Sequence, residues 1–308
     1  MHHSIRFGAA ALALAIAPAA LGCSICRCGD PTYNALGRDG VAQTGLRIAL
    51  DWDRVRKTQG DPAVESESLT EERTTLLLAY GVTERLGVFL RVPYSDRSMK
   101  AVGEDGTEHL HAGGLADPEV SVQWRVWSSP FEGDVGMRTS VFLTGGVKTP
   151  WGENDATRGG ARLDEHLQPG TGSTDVFGGL AASHQIDRTS ALFASVQYRA
   201  TGRNDAGYEY GNAFLANVAY EHKLGSRWDG VLELNYRDAG RDEVARDGTT
   251  DGDTGGTMWF VTPRLLFDVG HGWVIRASAQ LPLTQSGLHG EQEEKAVINL
   301  GVTHLSTH

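Results

Sequence analysis

An all-β fold, an antiparallel up-and-down transmembrane β-barrel of about twelve strands, is what this 308-residue chain predicts. Three observations carry the prediction. Segments with a period of two recur from Leu46 to His304, each with one aliphatic face. The connections between them alternate between tight turns and long polar loops. No run of about 18 apolar residues follows the first 22 positions, which leaves strands rather than helices to cross a bilayer.

The elements follow in order. Residues 1–22 read as a secretory signal: Arg6 precedes an apolar run from Phe7 to Leu21, and Ala20 and Gly22 are the small residues before Cys23. Residues 23–44 form a cysteine-rich segment expected on the periplasmic side, and 45–308 form the barrel. Cys23, Cys26 and Cys28 are the chain's three cysteines. The pattern Cys-x-x-Cys-x-Cys brings soft thiolates together, which suits Cu(I), Zn(II) or an iron–sulfur cluster. Cys26 is followed by Arg27 and not by His, so haem attachment is excluded. Three readings stay open here: a copper or zinc centre with metal or redox function, a Cys23–Cys26 disulfide with one spare thiol, and lipidation of Cys23.

The strands begin with Leu46, Ile48, Leu50 and Trp52, which alternate with Arg47, Ala49, Asp51 and Asp53. A hairpin over 74–94 sets Leu76, Leu78, Tyr80 and Val82 against a polar turn at Thr83-Glu84-Arg85, then returns with Val88, Leu90, Val92 and Tyr94. Further alternating runs cover 120–126, 136–148, 175–183, 191–199, 214–221, 232–237, 259–269, 273–281 and 296–304. Short turns fall at 81–86, 128–134, 185–189, 223–227 and 270–272. Long loops fall between them at 54–72, 95–113, 149–174, 200–207, 238–255 and 284–293. Strict alternation of this kind fits tight periplasmic turns on one rim and long outer loops on the other. A soluble sandwich has no reason to sort loop length by parity. The acidic side chains in the first long loop, Glu71 and Glu72 among them, read as a solvated face.

Opposite the aliphatic face stand Arg47, Asp51, Arg91, Arg125, Arg138, Lys148, Glu221, Glu233, Arg237, Arg264, Asp268 and Arg276. A membrane barrel packs such charges inside, as cross-strand pairs or around water. Arg91, Arg125, Arg138, Glu233, Arg237, Arg264 and Arg276 are therefore the candidate lumen residues, expected to set selectivity by charge.

Several junctions carry a likeness. Gly81-Val82-Thr83-Glu84-Arg85-Leu86, Gly114-Leu115-Ala116-Asp117-Pro118, Gly146-Val147-Lys148-Thr149-Pro150 and Gly170-Thr171-Gly172-Ser173-Thr174-Asp175 resemble Gram-negative outer-membrane barrel transporters of the MetA-pathway of phenol degradation type. The resemblance spans roughly residues 45 to 305 and implies a fold rather than a substrate.

The formal net charge of -11 argues against a nucleic-acid partner. No G-x-S-x-G elbow, Walker loop or H-E-x-x-H occurs, and the adjacent Ser183 and His184 would point to opposite faces of a strand, so no enzyme is expected. The expected function is a porin-like channel or transporter for a small solute in the outer membrane of a Gram-negative bacterium. Its expected partners are outer-membrane lipid, lipopolysaccharide, the solute, and a periplasmic redox or metal-handling protein. The alternative is a non-conducting outer-membrane scaffold whose cysteine segment binds copper, another soft metal or a redox partner.

Overall fold

The computed structural model describes residues 45–306 apart from 62–64, 104–105, 133–135, 138, 245–248, 251–253 and 287–292. The segment 1–22 expected to be a secretory signal, Cys23, Cys26, Cys28 and Arg138 lie outside the described residues. The principal strands are β1 (Gly45–Asp61), β2 (Glu65–Gly81), β3 (Leu86–Gly103), β4 (Gly106–Leu115), β5 (Glu119–Ser128) and β6 (Thr139–Lys148). They continue as β7 (Asp175–Gln185), β8 (Ser190–Ala200), β9 (Ala213–Lys223), β10 (Trp228–Ala239), β11 (Gly256–Gly270), β12 (Trp273–Ser286) and β13 (Val297–Ser306).

All pairings are antiparallel, and β13 returns to β1 through Leu46↔Ser306 to Arg54↔Ile298. The main sheet has 14 strands, of which β4 and a two-residue piece at Glu293–Glu294 are side branches, so twelve close the ring. Closure removes every free edge from the ring, as a span through hydrocarbon requires.

Which face looks outward is decided by burial. Row by row, Val302, Leu50, Leu76 and Val92 oppose one another, and Leu50 is 48% exposed. Leu232, on the far side, is 55% exposed, while its neighbour Glu233 is 0% exposed and Arg276 is 1% exposed. A soluble barrel has the opposite arrangement. Aliphatic side chains outside and charges inside match a lipid-facing wall. Exposed aromatic side chains edge that wall: Tyr80, Trp124, Trp127, Tyr220, Trp228 and Trp273 toward the short turns, and Tyr94, Tyr198, Phe214 and Trp259 toward the long loops. Along β9, Phe214 to Tyr220 spans roughly 20 Å of strand at ~3.4 Å per residue, which at a tilt of about 40° covers roughly 15 Å of the ~25 Å apolar band. The tightest turn, between β11 and β12, holds His271 and Gly272 at φ 54° and 79°, the left-handed pair that suits a two-residue hairpin.

Two expectations are corrected. The segments 54–72 and 95–113 are not loops; β1 pairs with β2 out to Asp61↔Glu65, and β3 with β4 out to Gly103↔Gly106. These strands run past the outer aromatic row, where neither face meets lipid and aliphatic alternation is not required. Glu71 is correspondingly buried at 5% exposure rather than solvated. The extension buries Leu69, Met99 and Ala112 against Leu167 from the 149–174 segment, with Leu110, Ala156 and Leu163 alongside.

Candidate channel lumen

The lumen is built by alternate residues of every strand, and most of its charges meet a partner. Arg91 Nη1 stands 3.6 Å from Glu119 Oε2. Glu119 Oε1 accepts from Arg199 Nη2 at 2.7 Å, and Arg199 Nη1 lies 3.5 Å from Asp175 Oδ2. Asp175 is paired at 2.8 Å with Lys148 Nζ, which also lies 3.5 Å from Asp117. This string of six groups alternates in sign and crosses β3, β5, β8, β7 and β6. It ends at Ala116-Asp117-Pro118, the break between β4 and β5. Asp117 accepts from the backbone N–H of Gly152 and Thr171 at 2.9 and 2.7 Å, and from the Thr171 hydroxyl at 2.6 Å. Lys148 donates to Thr171 and Ser173. The charges thereby fasten the 149–174 segment to the inner wall.

On the opposite side Arg264 Nη2 pairs with Glu233 Oε1 at 2.9 Å, and Arg276 donates to Asp51 and Thr303. Arg237 Nη2 donates to Glu294 Oε2 at 2.7 Å and lies over the Phe260 ring at 5.5 Å. Gly301 makes the Arg276 pair feasible, because a Cβ there would collide with both Asp51 and Arg276. Gly146 does the same for Phe177, whose ring lies 4.7 Å beneath the Arg199 guanidinium.

The outer mouth is bridged by loops. Arg97 Nη1 donates to the carbonyls of His166 and Gln168 at 2.8 and 2.6 Å. Arg97 Nη2 reaches Glu71 at 3.3 Å, and Glu71 also accepts from Arg73 and Ser95, each at 2.7 Å. Glu71 lies beyond the outer aromatic row. Burial alone would raise its pKa, yet Arg73, Arg97, the Ser95 hydroxyl and Lys57 together hold it well below the usual carboxylate range. His166 Nε2 is 3.0 Å from the Tyr208 hydroxyl, which donates to Asp242 at 2.7 Å; Tyr210 donates to the Glu165 carbonyl at 2.9 Å. Residues from 149–174, 201–212 and 240–242 thus interlock above the lumen.

Of the candidate lumen residues, Glu233 and Arg264 are brought together directly. Arg91, Arg237 and Arg276 lie in the lumen wall in other pairs, and Arg125 donates to the Glu84 carbonyl at 2.6 Å, bracing a short turn at the rim. Sequence reasoning missed Glu119, Asp175, Arg199 and Asp117 as members of the lattice. Asp117 and Asp175 stand in the junctions Gly114–Pro118 and Gly170–Asp175, and that was the available signal. Among the described residues no group of three His, Cys, Asp or Glu side chains is placed to hold a metal ion.

Comparison with known proteins agrees with the architecture. An outer membrane channel from Pseudomonas putida F1 superimposes with a TM-score of 0.63 at 12% identity, covering 86% of this chain and 96% of that one. The translocator domain of autotransporter NalP from Neisseria meningitidis gives a TM-score of 0.49 at 11% identity, covering 87% and 90%. At 12% identity the likeness to the Pseudomonas channel speaks for the fold alone. Among curated proteins none matches. The profile of the family described by the MetA-pathway of phenol degradation matches residues 53–287, most of the barrel, and the chain belongs to that family.

Proposed function

We propose that the protein is an outer-membrane channel that passes a small solute through the barrel, along a path lined by Arg91, Arg125, Glu233, Arg237, Arg264 and Arg276; Arg138, outside the described residues, is assigned to the same role from the sequence alone. The observation that carries this reading is the inside-out wall, with exposed leucines such as Leu232 beside fully buried, paired charges such as Glu233. Because the described arginines are matched by carboxylates or carbonyls, the path favours an uncharged solute with a hydroxyl to hydrogen-bond. The family description, phenol degradation, makes a phenol-like compound the first to test. Arg56 and Lys100 are exposed on the outward face beyond the aromatic row, beside Arg54, which stands 3.7 Å from Glu72, and lipopolysaccharide phosphates suit the first two as counter-ions. The test is uptake of labelled phenol at low concentration by intact Gram-negative cells. Cells making the full chain should accumulate it several-fold faster than cells without it, and equal rates overturn the reading.

The loops interlocked over the mouth favour one competing reading, a non-conducting scaffold whose Cys23, Cys26 and Cys28 bind copper or zinc or engage a redox partner. Metal analysis of the purified full chain against a Cys26→Ser, Cys28→Ser variant separates the two: bound copper or zinc lost in the variant supports the scaffold.

A further inference from the structure

The lipid-facing wall is not evenly covered by large side chains. Across β10 to β13 one outward row reads Gly230, Leu265, Ala277 and Leu300, and the next pairs Leu232 with Pro263 and Ala279 with Ile298. The small members fall obliquely. A groove of about 780 Å³ therefore passes between Leu232 and Leu265 over Gly230, Pro263, Ala277 and Ala279, and is closed on its far side by Ile298 and Leu300. It begins at the short-turn rim, where His222 stands opposite Gly230. Leu224 folds over Gly230, at which a Cβ would lie 3.1 Å from Leu224 Cδ1. Its upper end is Ala279, six residues in from Trp273 at the start of β12. Six residues at ~3.3 Å along a strand tilted about 40° climb roughly 15 Å, just past the middle of the ~25 Å apolar band. The groove is thus as tall as one leaflet, the periplasmic one.

Its rim end is polar. The Tyr220 hydroxyl donates to Ser190 Oγ at 3.4 Å, and Ser190 Oγ lies 2.9 Å from His222 Nδ1. With Ser190 donating to Nδ1, the ring carries its N–H at Nε2. Lys223 and Arg227 are exposed at the same turn.

We propose that this groove holds one glycerophospholipid of the periplasmic leaflet, an acyl chain lying over the small residues and the phosphate at His222 Nε2, beside Lys223 and Arg227. A chain in the groove meets apolar side chains beneath it and on both flanks, whereas a chain against an even wall meets them on one side. The phosphate gives Nε2 an acceptor, and the two cations match its charge. Lipopolysaccharide does not fit, because its phosphates lie at the other rim, with the long loops. The assignment needs only the lipid-facing wall and stands apart from the channel reading.

The experiment is native mass spectrometry of the full chain, purified in a mild detergent and loaded with phosphatidylglycerol, with heat-modifiable gel mobility as the check on folding. The wild type should retain one phosphatidylglycerol through repeated detergent exchange. The Ala277→Phe, Ala279→Phe variant fills the floor and should retain several-fold less. The Leu265→Ala, Leu300→Ala variant lowers the walls and should do the same, which keeps the test decisive if the phenylalanines disturb folding. His222→Phe should also weaken retention, and a variant that holds the lipid as the wild type does overturns the phosphate contact. Equal retention by the wild type and both groove variants means loosely held annular lipid and overturns the site. Preferential retention of added lipopolysaccharide overturns it as well. So does a wild-type dimer that Ala277→Phe converts to a monomer, since a second copy then fills the groove.

Discussion

At the scale of single residues, the lumen depends on glycines as much as on charges. Gly301 leaves the space in which Arg276 meets Asp51, so Gly301→Leu forces the pair apart and strands a guanidinium that is 1% exposed. Breaking a buried pair costs on the order of 3–5 kcal/mol, whereas replacing both partners by apolar groups is often neutral. Gly301→Leu should therefore lower the temperature at which the folded band is lost in heat-modifiable gels, and the Arg276→Met, Asp51→Leu double variant should stay near wild type. If both fall equally, the pair's geometry is not what Gly301 protects. Glu71 allows a test of sign. Its folded pKa lies below its unfolded value of about 4.3, so its contribution is complete above that pH and is lost as pH falls toward the folded value. Protease resistance of the 149–174 segment should hold from pH 7 to about pH 5 and weaken only below about pH 4. The Glu71→Gln variant should be weaker at neutral pH and show a flatter profile.

Among the elements, β3 works in two parts. Its inner part pairs with β5 inside the membrane wall, and its outer part pairs with β4 beyond it; Ala116-Asp117-Pro118 is where the wall changes partner. Pro118 has no N–H to give a ladder, and Asp117 turns its carboxylate to the 149–174 backbone. The outer part then holds that segment through Arg97, whose guanidinium meets two carbonyls of the Glu165–Leu167 turn region and Glu71. Arg97→Met should release the segment without loosening the ring. Surface proteolysis of intact cells should cut between Thr157 and Gln168 several-fold faster, while the barrel keeps its heat-modifiable mobility. Loss of the folded band itself would mean that the extension supports the wall as well as the cap.

For the whole molecule, alternation and loop parity made the ring legible, because lipid imposes the same outward rule on every strand. The rule stops at the membrane surface, so the outer parts of β1 to β4, with Glu71, Glu72, Arg97 and Lys100, looked like polar loops. Inside, charges announce a lumen by their expense, and Arg264, Arg276 and Glu233 were readable. Phe89, Phe142 and Phe193 were not, since an apolar residue on the inward face reads as a lapse in alternation. The outward rule itself has a direct consequence for fluorescence. The chain has seven tryptophans, and Trp124, Trp127, Trp228 and Trp273 sit near the short-turn rim, Trp259 near the other, all exposed on the outer wall. Trp52 shares the outward face with Leu50, and Trp151 is 75% exposed just past β6. Lipids brominated near the headgroup end of the acyl chain should quench most of the emission of the reconstituted protein. Bromines near the chain methyl should quench much less, because indoles settle at the two interfaces and not at the midplane. Equal quenching at both depths would deny the aromatic rows their position, and no quenching would put water, not lipid, against Leu50 and Leu232.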